Sequence, residues 1–349
     1  MRRIFCFGGI SLPTKQRGEV FDPEAQTRRD TLGFNPGSFI MAGVICKHTK
    51  SFLETSVFSV RLYRCAKCDL VFRKENKSDS NPKKLYGKYY RKSRNEITVG
   101  RFRYGLEVVI KTFRFFRAYK VHALHPSARR VLDIGCGRGF MLYFLRKFWG
   151  IKKVVGTQIS LEAYIFAKNK LRLSVYHEDL SKINLYDNYF DLVTIWHVLE
   201  HVVEPERYIA KIKSILKRKG KIIIEVPNYN SWSRKIAGEY WLGYDIIYHL
   251  SFFTPGTLIF LLKKYKFKIL KTHTFSLEYS TFISAQSIVS RITKTDSLFF
   301  KWIQGEKIEA NISMHILLMF FLLPFCLFGN LVLYYTHYGE VLLVVAEKP

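Results

Sequence analysis

Apolar and polar residues follow two different periods along this chain. Between residues 131 and 227, short apolar runs of strand length alternate with segments in which apolar residues recur every three to four positions. The strand-like runs are 131–135, 154–158, 173–177, 190–196 and 221–227. Strands that alternate with helices in this way predict a parallel, doubly wound α/β sheet.

Further elements are predicted on either side of this stretch. A helix is expected from Arg101 to about Leu124, where apolar residues recur at helical spacing with basic residues between them. Beyond the alternating stretch, the pattern predicts a helix over 254–265 and strands over 267–275 and 340–348. We predict three parts: a loose extension over 1–41, a small module over 42–95 and an α/β domain over 96–349.

A glycine-rich stretch, VLDIGCGRGF, spans the end of the first strand and the start of the next helix. It places glycines at 135, 137 and 139, with Asp133 two residues before the first of them. Such a turn presents backbone N–H groups and a helix N-terminus to a ligand. A dinucleotide fingerprint needs its third glycine one position later. An acidic residue at 133 also suits a ligand with a cationic amino group better than a pyrophosphate.

With these residues the chain resembles the class I S-adenosylmethionine-dependent methyltransferases, in the methyltransferase-23/11-like group that includes ubiquinone-biosynthesis O-methyltransferases. The motifs VLDIGCGRG, VVGTQIS, HEDL, FDLVTIWHVLEHV, LKRKGKIIIEVPN and HLSFFTPGTL follow in the family's order over about 130–275. The resemblance implies a Rossmann-like seven-stranded sheet of order 3-2-1-4-5-7-6 with the last strand antiparallel. It also implies S-adenosylmethionine (SAM) as the cofactor.

The resemblance also implies which residues bind this cofactor. The glycines would let the backbone approach the methionine part, and Asp133 would orient the loop or the amino group. Asp179 would face the adenine, with Leu180 beside the ring. Gln158 stands where the family usually offers a carboxylate to the ribose, so weaker or differently posed binding is expected. The complete predicted set is Asp133, Gly135, Cys136, Gly137, Gly139, Gln158, Asp179, Leu180 and His197.

The segment WHVLEH follows the fourth strand of the domain and supplies candidate catalytic residues. In the resembling enzymes a Glu-x-x-Glu-His pattern here is associated with a divalent metal, whereas this chain has His197, Glu200 and His201. Imidazole in the first position argues against Mg²⁺. We expect Glu200 and His201 to shape the site, with capping of the next turn as the alternative role for His201. His249 is a candidate general base or substrate positioner, and a purely structural histidine is the alternative.

The predicted module carries a possible zinc site. Strand-like alternation flanks a Cys-x-x-Cys turn formed by Cys65 and Cys68, which supplies half of a tetrahedral site. Cys46 and His48 are the upstream candidates for the other half, although Cys-x-His is shorter than the usual ligand spacing. This zinc-ribbon-like prelude also occurs in some members of the resembling family. A knuckle that has lost its metal is the alternative.

A 20-residue run without formal charge, 316–335, has the length of a membrane span. It lies in a predicted insertion at about 276–339, and the strand after it must return to the sheet. Pro324, Gly329 and Asn330 interrupt the run. The sequence therefore predicts a broken helical hairpin that enters one leaflet or covers an apolar channel. Packing inside the domain and a true span are the alternatives.

Charge and cysteine usage bear on the partners. The chain has 56 Lys and Arg against 28 Asp and Glu, a formal charge of +28, of which residues 61–130 carry more than half. Such an excess favours an anionic membrane or nucleic acid, with a solvated basic surface as the alternative. Residues 61–130 show no ordered nucleic-acid recognition motif, so nucleic acid is not the expected partner. Six scattered cysteines favour a reducing, cytoplasmic setting.

These observations predict a SAM-dependent methyltransferase, O-directed, that acts on a small-molecule, lipid-linked, quinone-like or glycan acceptor. It would be cytoplasmic and peripheral at the membrane. Two alternatives stay open: methylation of RNA or another soluble polyanion, and a non-catalytic SAM-binding protein.

Overall fold

The fold is seen in a computed structural model that describes residues 46, 48, 50–74, 100–303, 308 and 312–349. The predicted extension over 1–41 lies outside the described residues, as does the module beyond residue 74. Eleven strands in the described part form two sheets. They are β1 (Ser51–Val57), β2 (Val60–Cys65), β3 (Val71–Arg73), β4 (Arg130–Ile134), β5 (Lys153–Thr157), β6 (Ser174–Tyr176), β7 (Phe190–Trp196), β8 (Leu216–Pro227), β9 (Ser251–Phe252), β10 (Lys268–His273) and β11 (Val341–Glu347).

The main sheet has seven strands in the order β6-β5-β4-β7-β8-β11-β10. The first five strands of this sheet along the chain, β4 to β8, run parallel, and β11 enters antiparallel between β8 and β10. Numbered from β4, this order is 3-2-1-4-5-7-6. The fold expected from the resemblance is therefore confirmed.

Helices cover both faces of this sheet. Side chains of successive residues on β4 point to opposite faces, so Val131 and Leu132 belong to different apolar clusters, and both are fully buried. The helices are α1 (Gly100–Leu124), α2 (Phe140–Trp149), α3 (Leu161–Ile165), α4 (Pro205–Ile215), α5 (Trp232–Ala237), α6 (Pro255–Lys264), α7 (Ser280–Thr293), α8 (Leu298–Ile303) and α9 (Ser313–Val332). Local signals fix their ends: α4 and α6 begin at prolines, and a Thr254–Thr257 capping box starts α6.

The second sheet joins the N-terminal module to the α/β domain. Its order is β1-β2-β3-β9. The first three strands come from the module, whereas β9 lies between α5 and α6 of the domain. In register, Val71 pairs with Phe252 and Phe72 with Ser251. The module is thus attached to the domain by backbone hydrogen bonds.

The apolar run in the insertion forms one continuous helix, α9, so the predicted break is wrong. Pro324 lies inside the helix, and Asn330 near its end is fully buried. Asn330 Nδ2 donates to the carbonyl of Cys326 and to Oγ of Ser284 on α7, at 2.7 and 2.9 Å. Contacts with α7 keep the helix continuous through residues that interrupt isolated helices, a tertiary effect that local pattern does not reveal.

Candidate cofactor and catalytic site

The glycine loop lies at the carboxyl end of β4, where the parallel strands form an open edge. Gly135, Gly137 and Gly139 have φ values of 71°, 56° and 78°, in the left-handed region that favours glycine. A Cβ at Gly135 would lie 2.4 Å from Cγ2 of Val198, so the chain itself demands glycine there. A Cβ at Gly137 would meet nothing within 4 Å among the described residues. Gly137 therefore faces open space from which a ligand can approach the loop.

Asp133 anchors the strand that carries this loop. Its carboxylate is buried and accepts a 2.6 Å hydrogen bond from Oγ1 of Thr194 on the adjacent strand β7. Burial raises the pKa of Asp133 to about 6, despite the bond from Thr194. The carboxylate ties β4 to β7, an arrangement that fits the loop-orienting role expected for this residue.

Cys136 and Gln158 connect the loop to the end of β5. The backbone N–H of Cys136 donates to the carbonyl of Thr157 at 2.9 Å. Gln158 is buried, and its Oε1 accepts from the N–H of Ser160 at 2.9 Å. Its Nε2 has no hydrogen-bond partner among the described residues. An unpaired buried donor costs about 1–3 kcal/mol, which a ligand with an acceptor oxygen would recover.

Both carboxylate oxygens of Asp179 already accept hydrogen bonds from the protein, and Leu180 is buried. Oδ1 of Asp179 accepts from the N–H and hydroxyl of Ser181, at 2.9 and 2.5 Å. Its Oδ2 accepts a short hydrogen bond from the Tyr208 hydroxyl. Leu180 is fully buried in the core. The ring contact expected for Leu180 stays a prediction.

His197 bridges two buried carboxylates. Its Nδ1 lies 3.3 Å from Oε1 of Glu200 and its Nε2 lies 3.3 Å from Oε1 of Glu225. Burial disfavours the imidazolium, but the bonds to the two carboxylates outweigh burial and raise the pKa of His197 to about 10. The residue has φ 52°, a left-handed conformation that is uncommon outside glycine and often marks functional sites. His197 and Glu200, both singled out as site candidates from the sequence, thus lie beside each other.

His201 and His249 lie beside Glu200, with their ring centroids 4.6 Å apart. Nδ1 of His201 lies 3.1 Å from the carbonyl of Tyr248, and Nδ1 of His249 lies 2.9 Å from the carbonyl of Gly243. A ring nitrogen facing a carbonyl must carry the proton. Nε2 of His249 lies 4.0 Å from Oε1 of Glu200. Burial lowers the pKa of both histidines, to about 4 for His201, so both rings are neutral at pH 7.

Ligand atoms of Glu200, His201 and His249 all lie within 4.8 Å of one another. This donor set does not fit Mg²⁺, which prefers oxygen ligands. Its only carboxylate is already paired with the His197 imidazolium. We therefore derive no chemical step through a magnesium ion here.

Four residues of this site were not found from the sequence. Arg117 on α1 stacks 4.5 Å over the Trp196 ring and lies 2.5 Å from Oε2 of Glu278. Tyr279 packs on the His197 ring with centroids 4.2 Å apart. Glu225 was the detectable one, because a single acid inside the apolar run KIIIEVP is a recognisable signal. Glu278 and Tyr279 lie in the insertion, where no motif distinguishes them.

The predicted zinc ligands also come together. Sγ of Cys46 lies 3.6 Å from Sγ of Cys65, and Sγ of Cys68 lies 3.5 Å from Nδ1 of His48. One ligand atom from each of the four residues lies within 4.8 Å of the others. This cluster is on the module, away from the glycine loop along the chain.

Comparison with known proteins now decides the family. A family model described as a methyltransferase domain matches residues 107–272. An uncharacterized protein of Methanocaldococcus jannaschii is 31% identical over 184 residues, which are 52% of this chain and 80% of that protein. The chain belongs to the class I S-adenosylmethionine-dependent methyltransferases. SAM is the cofactor from which this family takes its name.

Two other similar proteins have more specific names. A ubiquinone biosynthesis O-methyltransferase of Coxiella burnetii is 31% identical over 109 residues, 30% of this chain and 46% of that enzyme. The chain thus spans about half the length of the curated relatives that it matches. A solved SAM-dependent methyltransferase from Archaeoglobus fulgidus is 27% identical, and the match covers 67% of this chain and 94% of that one at a TM-score of 0.42.

The residues present in this methyltransferase chain fit the family's cofactor. The open space beside Gly137 would admit a ligand, and the unpaired Nε2 of Gln158 offers a donor to a ribose oxygen. Asp179 would contribute through the remaining lone pairs of its carboxylate, since both oxygens already accept protein hydrogen bonds.

Proposed function

We propose that the protein catalyses SAM-dependent O-methylation of a lipid-linked, quinone-like or glycan acceptor at a membrane surface. The observation that carries this proposal is the pairing of the glycine loop, open at Gly137, with a buried Glu200–His249 pair at the same edge of the sheet. A cofactor-binding loop alone would explain binding of SAM. A base beside it would in addition remove the proton from a hydroxyl that receives the methyl group.

SAM would supply a methyl group activated by its positive sulfur, and the protein would supply alignment and proton removal. The glycine loop would hold the methionine part, and Gln158 would hold the ribose. Arg114 and Arg117 share the carboxylate of Glu278, at 2.8 and 2.5 Å. With the His197 imidazolium between Glu200 and Glu225, three cations face three carboxylates, and this balance suits a neutral hydroxyl more than a phosphate.

His249 is the residue we assign to proton removal. The carbonyl of Gly243 fixes the proton on Nδ1, which leaves Nε2 as the basic nitrogen. Because burial lowers its pKa, the ring is neutral and able to accept a proton at pH 7. The nearby carboxylate of Glu200 would stabilise the imidazolium that forms, at 4.0 Å. His201 packs against this pair and would limit the rotation of His249.

The membrane part of the proposal rests on α9. Polar residues of this helix are buried and its apolar residues are exposed, the reverse of an ordinary surface helix. Its buried face includes His315 and Asn330, which bond to Thr295 on the α7–α8 connection and to Ser284 on α7. Its exposed face is apolar and aromatic. The large exposed residues are Met314, Ile316, Leu317, Phe320, Phe321, Phe325, Leu327, Phe328, Leu331 and Val332. An apolar surface of this extent marks a site that is covered by another molecule or by a membrane.

A lipid surface fits this face better than ordinary packing. In the described part of the chain, α9 is the helix that is long and apolar enough to cross a bilayer, yet its polar face is docked on α7. A helix attached in this way lies in the plane of the interface with its aromatic side in the acyl region. The net charge of +28 adds attraction to anionic lipid.

The test is transfer of a labelled methyl group from SAM in the presence of candidate acceptors. The purified protein is incubated with anionic vesicles containing a total lipid and quinone extract, and in parallel with total RNA. We expect alkali-stable label in the organic phase, because ethers resist alkali. Label in RNA alone would overturn the acceptor assignment, and label in neither with intact SAM binding would favour a non-catalytic protein.

A further inference from the structure

We propose that Cys46, His48, Cys65 and Cys68 bind one zinc ion, and that this ion holds in place the strand pair that positions His249. The first part is independent of the proposed function. The second part rests on it, since it assigns a role to the module in the same site.

Two ligand separations in the cluster match those of a closed tetrahedral site. With Zn–S near 2.3 Å and Zn–N near 2.0 Å, neighbouring ligand atoms of a tetrahedral zinc are about 3.5–3.8 Å apart. The Cys46–Cys65 sulfur distance is 3.6 Å and the His48–Cys68 distance is 3.5 Å. A sulfur separation of 3.6 Å is far too long for a disulfide, and the cysteines are free.

The surroundings of the cluster favour zinc. Three thiolates and an imidazole are soft ligands that select zinc over magnesium or calcium. The N–H of Lys67 donates to Sγ of Cys65 at 3.4 Å, a bond that stabilises sulfur with negative charge. The His48 ring stacks on Phe72 with centroids 4.8 Å apart, which fixes its orientation. Binding would release the thiol protons to the buffer.

The cluster also rests against the α/β domain. The backbone N–H of Cys46 donates to Oε1 of Glu206 on α4, at 3.0 Å. Nζ of Lys264 on α6 lies 2.7 Å from the other oxygen of the same carboxylate. The ligand-bearing segment is therefore attached to two helices that pack on the main sheet.

A short series of hydrogen bonds joins this cluster to the segment that carries His249. Strand β3 begins three residues after Cys68 and pairs with β9, which begins two residues after His249. The N–H of Arg73 donates to the carbonyl of Leu250 at 2.9 Å, and Nη1 of Arg73 donates to the carbonyl of Ile246 at 2.8 Å. These bonds bracket His249 on both sides. Zinc that orders the β3 end of the pair would thereby order the segment that carries the candidate base.

The first experiment measures metal content in the full-length protein. We expect about one zinc per chain by elemental analysis, and visible ligand-field bands of tetrahedral thiolate coordination after cobalt replacement. The double variant Cys65→Ser/Cys68→Ser should lose the metal, whereas Cys326→Ala, with its cysteine on α9, should keep it. His48→Cys should retain zinc and His48→Ala should bind it far more weakly. A wild-type protein without stoichiometric zinc or cobalt binding overturns the site.

The second experiment measures amide hydrogen exchange with and without a strong chelator. We expect metal removal to speed exchange at least tenfold in residues 249–253 and to leave 131–140 within a factor of two. Turnover should fall with little change in SAM affinity. Unchanged exchange in 249–253 after zinc loss would overturn the coupling. Stoichiometric zinc and faster exchange in a protein without transferase activity would uphold this inference and contradict the proposed function.

Discussion

The His197 ring lies between two buried carboxylates, and its Nδ1 is 3.3 Å from Oε1 of Glu200. The other nitrogen faces Glu225, so one imidazolium balances two buried carboxylates. In the resembling enzymes, the position of His197 carries a carboxylate associated with a metal ion. Here a protonated side chain supplies the positive charge from within the chain.

Replacing His197 by Gln should destabilise the protein, because Glu200 and Glu225 would lose their shared cation. Removal of one partner from a buried ion pair costs about 3–5 kcal/mol of unfolding free energy. Urea titration at pH 7 measures the loss. A change below 1 kcal/mol would mean that the carboxylates do not depend on this imidazolium.

The same pair predicts the direction of a pH effect. The pKa of His197 is about 6.5 in an unfolded chain and is raised to about 10 in the fold. Its contribution to stability is therefore complete below about pH 6.5 and is lost as the pH rises towards 10. The unfolding free energy of the wild type should fall as the pH is raised from 6.5 to 8 and 9.5. That of His197→Gln should fall much less. Parallel curves for the two proteins would contradict the assignment.

Replacing His249 by Ala should reduce turnover by about 10²- to 10⁴-fold, the usual contribution of a general base. The affinity for SAM, measured by calorimetry, should change by less than about threefold, because His249 bonds to the carbonyl of Gly243 and packs on His201, outside the glycine loop. His337→Ala is a matched control, since His337 is exposed and lies on the α9–β11 connection. Equal losses of turnover and SAM affinity in His249→Ala would remove the base assignment.

Gln158 offers a test of cofactor recognition at the ribose. In Gln158→Glu a carboxylate replaces the amide, and a charge-assisted hydrogen bond to a hydroxyl is stronger than a neutral one by about 1 kcal/mol. SAM affinity should therefore rise about fivefold. Gln158→Ala should weaken it. Weaker binding in both variants would contradict the prediction that a carboxylate at this position accepts from a ribose hydroxyl.

The outer face of α9 predicts membrane binding. The triple variant Phe320→Ser/Phe325→Ser/Phe328→Ser removes aromatic side chains that are 62–79% exposed. Burial of one Phe in an apolar phase is worth about 1.5–3 kcal/mol, so partition onto anionic vesicles should fall at least a hundredfold. Vesicle flotation measures this change, and the SAM affinity of the variant shows that the fold persists.

A control variant carries the same number of Phe-to-Ser replacements at positions outside α9. Phe52, Phe58 and Phe148 are also exposed and lie far from α9 in the sequence, so their replacement by Ser should leave flotation unchanged. Equal losses in the two triple variants would argue for non-specific hydrophobic adsorption and against docking through α9.

Sequence reasoning succeeded where a local pattern determines the structure. The strand, the glycine turn and the helix that follows it are encoded within 131–149, and the ordered motifs gave the strand order of the sheet. Cys65 and Cys68 sit on a turn that their own spacing indicates. The strand, the glycine turn and the Cys-x-x-Cys turn depend on residues that are close together in the chain, whereas the strand order followed from the family resemblance of motifs spread over about 130–275.

It failed where distant residues decide the outcome. Asn330 lies inside α9, where its side chain donates a hydrogen bond to Ser284 on α7. No residue near position 330 in the sequence indicates this partner. The pairing of β3 with β9 joins residues about 180 positions apart, as Val71 with Phe252 illustrates.

The central claim is that the loop around Gly137 holds SAM, and calorimetric titration of SAM tests it most directly. A Cβ at Gly137 would enter the open space beside the loop, so Gly137→Val should abolish SAM binding, helped by strain at φ 56°. Gly105→Val, a substitution on α1 where a Cβ meets nothing within 4 Å, is the control. The account predicts single-site binding to the wild type and the control, and none to Gly137→Val. Absence of binding to the wild type, or equal binding to all three proteins, would contradict it.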